Sequence, residues 1–240
     1  MSTARSHRIE LNCFVLHTRP YRETSALVTV LSQHWGKVNF VAKGIRAKKH
    51  AKTALLQLFL PLNVQVFGQH ELKNLAQIEA QGIALVLKND FLYAAMYINE
   101  LLMRVLPVEM PCSAIFTLYQ QALNQLSKQM PLEPLLRDFE LNLLDDLGYG
   151  VDFTIDMALS EPICPDDHYR YHPELGFVPD HTARTQEQRS SVLTGQVIID
   201  IAERNWHAYS LRAAKQINRV AMRTLLGNKP LKSRELFVKR

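Results

Sequence analysis

The stretch Val38-Asn-Phe-Val-Ala42-Lys43-Gly-Ile-Arg46-Ala-Lys48-Lys49-His-Ala-Lys52-Thr-Ala54-Leu55-Leu56-Gln57-Leu-Phe-Leu60-Pro-Leu-Asn-Val-Gln-Val-Phe67 decides the fold of the N-terminal third. It opens on a β-branched and aromatic run and closes on an alternating one. Between them lies a long insertion, residues 43–57, that ends in a helical pattern at Ala54, Leu55 and Leu56. Further alternating runs at 9–16 and 26–31 precede it, and one at 72–80 follows. Turn chemistry separates the runs at Thr18-Arg19-Pro20-Tyr21, Gln33-His34-Trp35-Gly36 and Phe67-Gly68-Gln69-His70. Five short strands with a helix between the third and fourth is the order of an OB-fold barrel. An SH3-like barrel matches the strand count but not the inserted helix.

From about residue 83 the period becomes helical. Leu85, Leu92, Ala95, Met96, Leu102 and Leu106 recur at helical spacings until Pro107 stops the run. A second helix is predicted over 114–128 and a third over 134–147, with Gly148 as a left-handed C-cap. Residues 152–189 read as loop, punctuated by Pro162, Pro165, Pro173 and Pro179. Helices resume at 192–206 and 211–226, the latter N-capped by Ser210 and closed by Gly227. The expected protein is α+β: a five-stranded OB-fold β-barrel over residues 1–81, then an α-helical domain over 82–240. That second domain carries a loop-rich insertion at about 152–190 and a basic C-terminal helix.

Charge is segregated along this frame. The chain has 240 residues and a net charge of +5. Residues 1–52 hold ten Lys/Arg against two acids, Glu10 and Glu23, a net of +8. Residues 204–240 hold ten against the single acid Glu235, a net of +9, and the stretch between carries −12. Two basic ends and an acidic middle point to a polyanionic partner, with nucleic acid the leading candidate. No apolar run approaches the length of a membrane span, and no apolar segment follows the first residues as in a secretory signal. Neither membrane insertion nor secretion is expected. Cys13, Cys112 and Cys164 are odd in number and far apart, which fits reduced thiols in the cytoplasm.

Two basic constellations carry the functional reading. The first is Lys43-Gly-Ile-Arg46-Ala-Lys48-Lys49-His50-Ala-Lys52, five cations in ten residues directly after a strand, with Lys37 just before that strand. Loops beside the face of an OB barrel line the groove that a nucleic-acid strand follows. Lysine and arginine serve there because they gain by releasing counterions from phosphates. The second is Arg212, Lys215, Arg219 and Arg223. At about 100° per residue these four fall within an arc of roughly 80°, one stripe of a helix. Leu211, Ala214, Ile217, Val220, Ala221 and Leu225 form the opposite face, too alanine-rich and short of bulky aromatics for a membrane surface. Lys229, Lys232 and Arg234 extend the charge beyond that helix. A solvated basic face without a partner is the competing account of both. Phe14 and Phe40 fall in strand patterns and belong to the core, which leaves Tyr21 and Trp35, in predicted turns, as the better platforms for stacked bases.

Catalytic and metal signatures are weak. Cys164, His168, His172 and His181 lack the paired short spacings of a zinc site. Gly227-Asn-Lys229 lacks phosphate-loop spacing. Asp138, Glu140, Asp145 and Asp146 would suit a metal-dependent nuclease, but neighbouring acids on a helix point apart. No enzyme active site, cofactor or metal is expected.

Several segments together resemble the RecO family of bacterial recombination mediators, in its gamma-proteobacterial form. They are Phe14-Val-Leu-His-Thr-Arg-Pro-Tyr-Arg-Glu-Thr-Ser25, Val41-Ala-Lys-Gly-Ile-Arg46, Tyr97-Ile-Asn-Glu-Leu-Leu102, Phe139-Glu-Leu-Asn-Leu-Leu-Asp-Asp-Leu-Gly-Tyr-Gly150, and Leu211-Arg-Ala-Ala-Lys215 through to Gly227-Asn-Lys-Pro-Leu-Lys-Ser-Arg-Glu-Leu-Phe237. The resemblance implies an OB-fold and a helical domain. It further implies binding of single- and double-stranded DNA, strand annealing, and help in loading RecA onto strands coated by the single-strand-binding protein SSB. The partners implied are RecR and the acidic, Phe-terminated SSB tail. Many members carry a zinc knuckle; Cys164 stands alone here, which implies a zinc-free loop. The context of Arg137 resembles a tail-recognition site, and Arg104 is the other isolated cation on a middle-block helix. An internal pair with Glu133 or Glu140 is the competing role for Arg137. Rival functions are RNA or ribosome binding and a nuclease.

Overall fold

The computed structural model describes residues 8–45, 51–180 and 192–237, with the side chains of residues 51 and 52 left undescribed. The chain forms two compact units, Met1–Met130 with Lys229–Arg240, and Pro131–Asn228.

In the first unit, β1 (Arg8–Tyr21), β2 (Ser25–Ser32), β3 (Gly36–Ala42), β4 (Pro61–Phe67) and β5 (Leu72–Ala80) close a barrel in the order β1-β2-β3-β5-β4. All pairings are antiparallel except β3 with β5. This is the OB arrangement that the strand order predicts. Leu11, Cys13 and Val15 of β1 point inward with Val28, Val30 and Phe40. A bulge then shifts the β1 register, so that Val15 faces Val30 but His17 faces Thr29. One extra residue reverses the inside–outside alternation. His17, Arg19 and Tyr21 therefore leave the interior for the outer face.

The predicted turn at 18–21 is instead the end of β1, and the chain turns at residues 22–24, with Arg22 at φ 55. Pro20 is tolerated because β1 has by then left β4 and pairs with β2 alone. The inserted helix is a single 3-10 turn, Ala51–Ala54, after which Leu56 enters the barrel core.

Helices α1 (Asn89–Val105) and α2 (Ser113–Ser127) pack on the outside of the barrel. Phe14 of β1 meets Phe116 and Tyr119 with ring centroids 5.8 and 5.4 Å apart. Asn99 donates to the Leu16 carbonyl at 3.2 Å and accepts from the Tyr119 hydroxyl at 2.7 Å, which links β1, α1 and α2. The α1–α2 connection runs beside β3: Glu109 N–H donates to the Lys37 carbonyl at 2.8 Å. Gly36, at φ +64, allows this approach, since a Cβ there would lie 1.9 Å from the Met110 carbonyl oxygen. The C-terminal 3-10 segment Lys232–Phe237 returns to α1, where Phe237 meets Tyr93 edge-on.

The second unit opens with α3 (Leu132–Asp146), and Gly148 follows at φ 78, the expected left-handed closure. The stretch read as loop carries short strands: β6 (Ile155–Asp156), β7 (Glu161–Pro162), β8 (His168–His172) and β9 (Gly176–Pro179). With β10 (Val192–Thr194) they form a sheet in the order β10-β8-β9-β6-β7. β6, β7 and β10 have two or three residues, too few for a countable alternation, whereas β8, His168-Tyr-Arg-Tyr-His172, does alternate but lies between Pro165 and Pro173. The helix predicted from residue 192 consequently starts later, as α4 (Gly195–Ala202).

Helix α5 (Ala208–Ala221) begins three residues before the predicted start. His207 is its N-cap, and Ser210 is the reciprocal partner inside the first turn. The run breaks at Met222 and resumes as α6 (Arg223–Leu226), with Gly227 at φ 63 closing it. Leu141, Phe177, Ile198, Ile201, Ala214 and Ile217 centre the core.

Candidate nucleic-acid interface

The outward residues of the barrel line up in rows. His17 pairs with Thr29, Thr29 with Asn39, and Asn39 with Leu72, one line across β1, β2, β3 and β5. The next line holds Arg19 and Leu27. These residues, with Tyr21, Lys37, Glu71 and Met103, bound a groove of about 640 Å³. The bulge in β1 is what delivers a histidine, an arginine and a tyrosine to it.

Lys37 projects into this groove and donates to the Met103 carbonyl at 2.8 Å. Burial pulls its ammonium below the ordinary lysine range, while the Glu71 charge works against that fall. Thr29 donates to Asn39 at 2.7 Å, which fixes the polar middle of the row. Arg19, Arg22 and Lys43 are exposed. The Arg22 guanidinium sits 5.3 Å from the centre of the half-exposed Tyr21 ring. Tyr21 lines the groove, and Trp35 is exposed in the β2–β3 turn. Phe14 and Phe40 are core residues, as their strand pattern predicts. Arg46, Lys48, Lys49 and the side chain of Lys52 lie outside the described residues.

Lys229, Lys232 and Arg234 belong to the same compact unit as this groove. Lys229 and Lys232 are exposed and Arg234 is half-buried. The anchor for this segment was not legible in the sequence. The Glu100 carboxylate accepts from the backbone N–H groups of Lys232 and Ser233 at 2.9 and 2.8 Å, and from the Ser233 hydroxyl at 2.6 Å. Burial raises the affinity of Glu100 for protons, but the Ser233 and Lys232 bonds and the Arg104 charge together hold it below the usual carboxylate range. Arg104 donates to the carbonyls of Lys229 at 2.6 Å and Pro230 at 3.2 Å.

In the second unit, Arg212, Lys215 and Arg219 are exposed along α5, and Arg223 is exposed in α6 beyond the break. The buried face differs in part from the predicted one: Ala213 and Asn218 are buried, whereas Leu211 and Val220 are only half-buried. Asn218 donates to Glu140 at 2.9 Å, and Glu140 accepts from Arg137 at 2.9 Å. Arg137 is 8% exposed, so its most direct partner is the carboxylate three residues on. Nothing in the pattern of α5 marked Asn218 as a buried polar link.

The central acids are dispersed into structural roles. Glu140 joins α3 to α5, and Asp138 accepts from the Trp206 indole at 3.2 Å and pairs with Arg204 at 3.5 Å. Among the described residues, no group of three His, Cys, Asp or Glu side chains is placed to hold a metal ion. Cys164 is exposed in the connection between β7 and β8, His168 is exposed at the start of β8, and His181 is outside the described residues.

Two family models match the chain: Recombination protein O N terminal over residues 6–83 and Recombination protein O C terminal over residues 90–235. The DNA repair protein RecO of Pseudoalteromonas atlantica is 48% identical over 95% of this chain and 93% of its own length. Those of Tolumonas auensis and Vibrio parahaemolyticus are 45% and 42% identical, covering 93% and 94% of this chain and 92% and 91% of their own lengths.

Proposed function

Since the chain belongs to the recombination protein O family, in its gamma-proteobacterial form, we propose that its role in DNA repair and recombination is that of a non-enzymatic mediator. It binds DNA, anneals complementary strands and helps load RecA onto SSB-coated single strands. It acts in the cytoplasm without a cofactor. No helix among the described residues is long and apolar enough to cross a membrane.

One observation carries this reading. A polar row of His17, Thr29 and Asn39 crosses three strands of an OB barrel, with Arg19 and Lys37 in the same groove, in a unit that also holds Lys43, Lys229, Lys232 and Arg234. Cations around an open groove, with a tyrosine on its wall, suit a backbone-tracking surface rather than a base-reading one. Screening phosphates also lowers the repulsion between two complementary strands. Arg212, Lys215, Arg219 and Arg223 add a second basic surface in the other unit. RecR and the acidic SSB tail are the proposed protein partners. Arg104 and Arg137 are the proposed tail contacts, Arg104 the more accessible.

Anisotropy of labelled single-stranded DNA, with structured RNA of equal length as competitor, tests the reading alongside an annealing assay. Tight DNA binding and faster annealing are expected. A strong preference for RNA would favour a ribosome- or RNA-binding role. Metal-dependent cleavage of DNA that Asp145→Ala abolishes would favour a nuclease.

A further inference from the structure

The groove on the barrel face does not end at β1. A second cavity of about 710 Å³ lies beside it in the same unit, and His17 and Met103 line both. Its walls are mostly apolar, built from Leu16, Leu56, Leu58, Met96, Met103 and Leu236. Its polar groups sit at particular places. Asn99 is committed to Leu16 and Tyr119, and the Glu100 carboxylate is turned onto the Lys232 and Ser233 amides. Arg104, the residue proposed above for the tail, also lines the cavity with its guanidinium turned onto the Lys229 and Pro230 carbonyls, and Thr18, exposed Gln57 and exposed Lys232 complete the polar lining.

This combination separates two tasks. The groove offers cations and hydrogen-bonding side chains, which suit a sugar-phosphate backbone. The adjoining cavity offers leucines and two thioethers, which suit the π face of a flat ring, since methionine adapts to shape and its sulfur packs well on aromatic rings. We propose that the cavity receives one base of the bound strand, unstacked from its neighbours, with an adjacent phosphate against Lys232. The inference rests on the reading of the barrel face as a single-strand site. Continuity through His17 and Met103 favours the strand itself over an apolar side chain of a protein partner, which would need no passage from the groove. The leucine and methionine walls meet the π face that every base has, and Thr18 and Gln57 are lining groups able to pair with its polar edge, so the cavity can take any base.

A series of oligothymidylates of site length, each carrying one 2-aminopurine at a different position, reports on this, with the full chain and acrylamide as quencher. On binding, the fluorescence at one position is expected to rise and acrylamide quenching there to fall at least threefold. Met96→Trp, which fills the cavity from the half-open Met96 position, is expected to restore quenching to the level of the free oligonucleotide. It should weaken binding about fivefold and leave the salt dependence unchanged, since no phosphate contact is removed. The wild-type measurement stands even if that variant fails to fold. Oligonucleotides that bind with the 2-aminopurine fully open to acrylamide at every position would overturn this inference alone. Absence of binding would overturn the barrel-face reading and this inference together. If an acidic Phe-terminated peptide, but not the oligonucleotide, loses affinity in Met96→Trp, the cavity belongs to a protein partner and the base assignment is wrong.

Discussion

Tyr119 carries one of the buried polar links that join β1 to the helices. Its hydroxyl is enclosed, donates to Asn99, and is held far above the ordinary tyrosine range by burial. Tyr119→Phe leaves the Asn99 carbonyl oxygen without that donor inside the β1–α1–α2 junction. A loss of about 1–3 kcal/mol is expected, measured as a lower urea midpoint with unchanged slope. Glu100 acts at the border of the same unit and brings pH with it. Its folded affinity for protons is lowered, so the stability it contributes is complete above the ordinary carboxylate range and fades as pH falls through its lower folded value. Glu100→Gln should cost about 1 kcal/mol at neutral pH, because the group is partly solvated. Acid titration of thermal midpoints should show that this cost shrinks toward pH 3; a pH-independent difference would mean that the carboxylate charge is not what holds Lys232 and Ser233.

At the scale of elements, the barrel depends on a close crossing at Gly36 that no side chain permits. Gly36→Ala must push residues 107–112 away from β3 and adopt a left-handed backbone. The expected loss is about 2 kcal/mol or more, with weakened DNA binding because Lys37 loses its neighbouring support. Denaturation and anisotropy on the same preparation check both effects. The strands themselves were legible, since 72–80 matches β5 and the other four runs lie almost wholly within their strands. Alternating burial on a closed sheet writes itself into sequence. The β1 bulge was not legible, because one extra residue between Val15 and His17 leaves no compositional trace. That bulge decides which β1 side chains face the groove. Likewise, β6, β7 and β10 of the small sheet escaped because they are shorter than the window in which a period can be counted, and the alternation of β8 is framed by Pro165 and Pro173. The basic stripe of α5 was readable from spacing alone, yet its continuation to Arg223 crosses a break at Met222 that spacing does not reveal.

For the molecule as a whole, the strong division of charge along the chain was the most informative feature of the sequence, but it did not say how the ends are used. Lys229, Lys232 and Arg234 share a compact unit with the barrel, whereas Arg212, Lys215 and Arg219 belong to the other unit. Basic residues from both ends of the chain therefore belong to the first unit, which holds the proposed strand site. The most direct test is the salt dependence of single-stranded DNA binding by the full chain, its Arg19→Glu/Lys43→Glu/Lys232→Glu variant and its Arg212→Glu/Lys215→Glu/Arg219→Glu variant. If about five phosphates are neutralised, log K against log[salt] should have a slope near −3.5, from ~0.7 per contact. The first variant should flatten it by roughly 2, from ~0.7 for each of three lost contacts. An unchanged slope and affinity in that variant would contradict the assignment of the strand to the barrel unit, and flattening in the second variant alone would move the site to α5.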